Sequence, residues 1–182
     1  MRSLLAAVCA VVLLLGGFTS ARAADYADRA ALDRLFADLH SAPTAAAAAD
    51  LTEQIWRLWF APPKAELATQ MARAGVEISV GDLPSALASL NAIIQDYPDY
   101  AEGWNQRATV EYLLGQLDAS LADIAQTLAL EPRHFGALSG RVMIYLQQGR
   151  RDEARQDMLA ALAINPYMKG RELFPELEVT HL

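Results

Sequence analysis

The chain has 182 residues, a hydrophobic fraction of 53%, a single cysteine and a formal net charge of −7. That is enough apolar material for one domain with a real core, and it excludes a disordered chain. An acidic chain without a basic run is a poor ligand for nucleic acid or for anionic membrane surfaces, because both are held chiefly by Lys and Arg.

The first segment reads as a targeting signal. Arg2 gives a positive start, Leu4 to Phe18 runs without a charge, and Ala21 and Ala23 stand in the small-residue pattern of a cleavage site. The uncharged run is shorter than the roughly 20 residues that span a bilayer. Residues 1–23 are therefore expected to be a cleaved signal peptide, which implies a periplasmic protein with no stable membrane insertion afterwards. Cys9 lies inside the apolar run rather than at its end, so no lipid attachment is expected. The mature chain would then lack cysteine, and with it any disulfide or thiolate metal ligand.

Residues 24–63 predict a helical hairpin. Leu32, Leu35, Phe36 and Leu39 repeat at helical spacing over about 25–40, and Leu51, Ile55, Leu58 and Trp59 do so over about 45–60. Ser41 to Thr44 is the turn, and Pro62-Pro63 closes the second helix. This hairpin is expected to cap the unit that follows it, because a repeat stack must cover its open ends.

From Leu67 onward the sequence repeats itself. Pro98, Pro132 and Pro166 are 34 residues apart, as are Gly81, Gly115 and Gly149. The same period runs through Ala74, Ala108 and Val142, through Ala86, Ser120 and Ala154, and through Arg73, Arg107 and Arg141. Each unit reads as two helices with a break at the glycine: Leu121, Ile124, Ala125 and Leu128, for example, share one face of a helix that Pro132 ends. The units are 67–100, 101–134 and 135–168, within a repeat region of 64–168. Residues 169–182 are too few for a fourth unit, so Leu173 and Phe174 are expected to form a one-turn cap and Glu178 to Leu182 to fray.

These columns resemble the tetratricopeptide repeat (TPR) family over more than half of the chain. Trp104, Ala108, Gly115, Ile124 and Pro132 stand at the family's motif positions, and the third unit adds Tyr145, Gly149, Ala154, Ala161 and Pro166. Gln70, Glu77, Glu111 and Thr127 depart from the motif. The resemblance implies an all-α solenoid of three helical hairpins that binds a protein or peptide on the concave side, lined by the first helix of each unit.

Residues opposite the packed face of those helices are the candidate partner-binding groove: Met71, Ile78, Glu102, Asn105, Thr109, Tyr112, Met143 and Leu146. The strip is mostly apolar, with Glu102 and Asn105 available to fix a ligand's direction. Some TPR proteins clamp a peptide carboxylate with cationic residues; the corresponding sites here hold Met71, Gly75, Gln106, Gly136 and Gly140, so an apolar or aromatic segment is the expected ligand. The arginine column invites an anion-binding reading, but Asp123 and Asp157 follow Arg107 and Arg141 by one hairpin length, which predicts an internal pair in each unit. Arg73 faces Ser89 and lacks that partner. Trp56, Trp59 and Trp104 read as core. In Glu131-Pro132-Arg133-His134 the histidine reads as a polar turn residue or a partner contact. The scattered Asp, Glu and His form no metal, cofactor or catalytic set. The expected function is a non-enzymatic interaction scaffold of the bacterial cell envelope; the alternative is a permanent structural or assembly subunit of an envelope complex.

Overall fold

The computed structural model describes residues 28–62 and 64–177. The expected signal peptide with Cys9, the second proline of the Pro62-Pro63 stop, and the tail from Glu178 that was expected to fray lie outside the described residues. Among the described residues the chain is all-helical. The helices are α1 (Arg29–His40), α2 (Ala45–Phe60), α3 (Ala65–Ser79), α4 (Leu83–Asp96), α5 (Ala101–Leu113), α6 (Leu117–Leu130), α7 (Phe135–Gln147) and α8 (Arg151–Ile164). None is long and apolar enough to cross a membrane.

Successive helices pack as hairpins, and the three hairpins α3–α4, α5–α6 and α7–α8 stack in chain order, an arrangement of the solenoid type. The 34-residue period has a visible cause. Gly81, Gly115 and Gly149 each adopt φ between 73° and 78°, a left-handed conformation that side chains with a Cβ disfavour. There each first helix ends in a Schellman turn. The Gln116 amide donates to the Glu111 carbonyl at 2.8 Å and the Gly115 amide to Tyr112 at 2.9 Å, and the same pattern recurs at Asp82 and Arg150. The small columns mark the crossings: Ala86, Ser120 and Ala154 are buried where two helices come together, and the Ser120 hydroxyl donates to the Ala108 carbonyl at 2.7 Å.

The ends differ from expectation in three places. Helix α1 begins at Arg29 rather than near residue 25, because the Asp28 carboxylate caps it by accepting the Ala31 amide at 2.9 Å. At the C-terminus Phe174 is fully buried against Val142, Ala154 and Met158 of the third hairpin, with Leu177 partly buried against the same cluster, whereas Leu173 is exposed, so the cap is Phe174 with Leu177. The largest correction concerns α1–α2. This hairpin does not cap the first unit. Leu32, Phe36, Leu39, Ile55 and Trp59 form one core with Phe135, joined by Ile164 and Met168. The hairpin thus lies across the start of α7 and the end of α8, and its aromatic face explains why. Phe36, Trp56 and Trp59 all make ring contacts with Phe135, at centroid distances of 6.4, 5.5 and 5.1 Å.

Candidate functional site

The groove formed by the first helices is divided into a half covered by α2 and an open half. In the covered half, Trp59 stacks on the His134 ring with centroids 4.1 Å apart and planes 8° apart, while Trp56 meets both His134 and Phe135 edge-on. A Cβ on Gly136 would stand 2.5 Å from the Trp56 ring, so only glycine lets α2 approach this closely. Tyr100 donates its hydroxyl to the Trp59 carbonyl at 2.6 Å. Burial and the nearby Glu102 charge push the Tyr100 phenol well above its ordinary range.

Beneath Trp59 lies a buried polar node. His134 is 0% and Glu102 1% exposed, and His134 Nε2 lies 2.9 Å from Glu102 Oε2. The Ala137 amide donates to His134 Nδ1 at 3.1 Å, which caps α7 and leaves the ring proton on Nε2, facing the carboxylate. Glu102 also accepts from Gln106 at 2.6 Å and from Asn105 at 3.2 Å. Both imidazole nitrogens are engaged and the ring is roofed by indole, so neither nitrogen is open to a substrate proton. His134 stands at the turn leading into α7, as expected, and there it both caps the helix and docks α2. Arg133 is likewise used internally: it bonds Glu131 and, at 2.7 Å, Asp33 of α1, with its guanidinium over the Phe36 ring.

This arrangement revises the expected strip. Glu102 is buried beneath Trp59, bonded to His134, whereas Asn105, although largely buried, is among the residues lining a recess between α5 and α7. Met71 belongs to the core of the first unit with Leu67, Ala74 and Leu90, and Ile78 packs against that core. Leu146 packs partly against the third hairpin's core. The residues that do come together on open surface are Thr109, Tyr112 and Met143. With Gly140, Ala108 and Ile144 they line this recess, of about 150 Å³. Met143 is 47% exposed at its rim. Among the tryptophans, Trp59 is core as expected. Trp104 is only half-buried, its indole donating to the Pro98 carbonyl at 2.8 Å with Arg107 over the ring.

The expected Arg–Asp pairs form. Arg107 Nε and Nη2 reach the two oxygens of Asp123 at 2.6 and 2.8 Å, and Arg141 reaches those of Asp157 at 2.6 and 2.7 Å. Arg107 also donates to Asn91 of the preceding hairpin at 2.7 Å, tying two units together. Glu111, 3.9 Å from Arg107, is buried beside this pair. Burial and then the Asp123 charge push its carboxyl up to about 7, against the pull of Arg107. Arg73 instead bonds Glu77 on its own helix at 2.9 Å.

The docking of α1–α2 was missed from sequence although one column carries it. Tyr100, His134 and Met168 are 34 residues apart, each the last residue of its unit, and all three meet the hairpin. Their chemical dissimilarity hid the period. No protein-family model matches the chain, and no curated protein matches it.

Proposed function

We propose that the chain is a three-unit TPR-type solenoid acting as a non-enzymatic protein-interaction scaffold of the cell envelope, exported through residues 1–23 to the periplasm. Its ligand is an amphipathic helix of a partner protein, laid along the open half of the groove with one apolar side chain in the recess between α5 and α7.

The observation that carries this reading is the packing of α2. The chain's own amphipathic helix already lies on the first helices of the groove through Trp56 and Trp59, which is helix-in-groove recognition within one molecule. The adjoining recess of about 150 Å³ is well below the roughly 300 Å³ at which small-molecule sites begin, and suits a single Leu, Met or Phe side chain. Met143 at its rim supplies an adaptable surface.

A photo-crosslinking residue at position 143, introduced in cells, tests this reading against one at the exposed Ala122 of α6. A discrete protein adduct from 143, absent from 122, is expected. With the crosslinker kept at 143, Tyr112→Ala, which removes one wall of the recess, should then weaken that adduct. Identical adducts from both positions, or none, would remove the groove assignment. A chain that folds only when a partner is co-expressed would instead favour a permanent assembly subunit.

A further inference from the structure

Next to the aromatic cluster of Trp56, Trp59 and Phe135 lies a second, larger space. A chamber of about 740 Å³ is walled by Ala48, Ala49 and Trp56 of α2, by Phe135 and Gly136 of α7, and by Met168. That volume falls within the range of small-molecule sites, roughly 300–1,000 Å³. It shares Ala45, Tyr167 and Met168 with an outer recess of about 500 Å³, so the two adjoin along these residues.

The polar groups are unevenly placed along it. The inner chamber is apolar apart from a few side chains, among them Ser139, whose buried hydroxyl has no hydrogen-bond partner. Lys169 lines the chamber, and Arg171 lines the outer recess. Arg171 gives one terminal nitrogen to the Leu177 carbonyl, while its buried Nε–H has no partner. A buried guanidinium donor without an acceptor is costly unless something supplies one. The carboxylates nearby are already engaged: Glu53 pairs with Arg57 at 2.9 Å, and Glu172 accepts the Gly170 amide at 3.0 Å.

We infer that this space binds a small anionic amphiphile, a medium-chain aliphatic carboxylate, with its chain against Trp56 and Phe135 and its carboxylate at Arg171 and Lys169. The carboxylate fits the fork of donors on arginine, and the alkyl chain fits the alanine and aromatic walls. The site meets the α5–α7 recess only at Gly136, and its ligand groups lie elsewhere, so it stands or falls independently of the proposed partner groove.

Titration of the purified chain with sodium decanoate below its micelle concentration, read by tryptophan emission and by calorimetry, tests the inference. A saturable response is expected, with decanol binding about tenfold more weakly for lack of the charge-assisted hydrogen bond. Arg171→Gln with Lys169→Gln should erase that difference and leave residual chain binding. Ala49→Phe, at an exposed position that lines the chamber, should abolish binding with unchanged melting. No saturable response, equal affinity for decanoate and decanol, or undiminished binding by the Ala49→Phe chain would each overturn the assignment.

Discussion

The first and second hairpin units carry the same two charged residues in the same two columns, yet their electrostatics run in opposite directions. Arg73 and Glu77 in α3 correspond to Arg107 and Glu111 in α5. The difference lies across the hairpin, where the first unit has Ser89 and the second has Asp123. In the first unit the Ser89 hydroxyl, together with Arg73, holds the Glu77 carboxyl below its usual range. In the second, Asp123 takes the arginine fork, and burial plus the Asp123 charge raise Glu111 to about 7. Deeper burial, together with the serine-to-aspartate difference at the facing position, separates a pair with an exposed arginine from a part-buried cluster of two acids and one base. The column shows that a conserved-looking repeat position does not fix the charge state of the residue that occupies it. Its burial and the partner across the hairpin do.

The largest expected effect comes from taking away the base of that cluster. Arg107→Ala strands Asp123 and Glu111 facing each other in the interior and breaks the bond to Asn91. Removing one member of a buried pair costs about 3–5 kcal/mol, and chemical denaturation should read a loss of that size. The third unit is the intermediate case. Arg141 holds Asp157 in the same bidentate way, but Tyr145 stands where the second unit has Glu111. Arg141→Ala therefore leaves one carboxylate without its partner rather than two, and about 1–3 kcal/mol is expected, the cost of an unmet charged hydrogen-bonding group. A loss from Arg141→Ala equal to that from Arg107→Ala would show that Glu111 adds nothing to the cluster.

Glu111 itself gives a smaller, pH-dependent effect. Its ordinary value is 4.5 and its value in the fold is about 7, so the folded protein holds this proton more tightly than the unfolded chain. The contribution is fully present below pH 4.5 and is lost as pH rises through about 7. Glu111→Gln keeps the shape and removes the titration. Relative to the parent, this variant should gain stability steadily from pH 4.5 to above pH 7, measured as the midpoint difference in parallel urea titrations. A constant difference across that range would place Glu111 in solvent rather than against Asp123.

Most of this layout was legible in the sequence, because its causes are local. The glycine and proline columns set the helix ends, and Arg107–Asp123 and Arg141–Asp157 follow from spacing around a tight turn. The two helices of the N-terminal hairpin were legible by periodicity for the same reason. Its docking was not. Asp33 reaches Arg133, His40 reaches the Ala163 carbonyl, and Trp59 reaches His134, all across long stretches of chain, and the column that includes His134 is chemically too mixed to announce itself. The face containing Glu102 and Asn105 read as an outer surface because helical periodicity separates a packed face from its opposite, and here both are packed. The polar character of those residues reinforced the error. A buried carboxylate satisfied by imidazole and two amides has the same sequence signature as an exposed one.

The smallest effect belongs to the first unit's arginine, and it sharpens the contrast from the other side. Arg73 is 75% exposed, and its partner is Glu77 one turn along the same helix. Such pairs contribute about 0.3–0.5 kcal/mol and are screened by salt. Unlike Asp123, Glu77 does not depend on its arginine alone, because Ser89 remains beside it after Arg73 is removed. Arg73→Ala should therefore cost less than about 0.5 kcal/mol at low ionic strength, and the difference in melting midpoint should vanish in high salt. The matching series on Arg107 should keep most of its loss at the same salt, since a part-buried pair is shielded from mobile ions. If Arg73→Ala and Arg107→Ala lost comparable stability, or if both losses disappeared with salt, the facing serine and aspartate would not be what separates the two units.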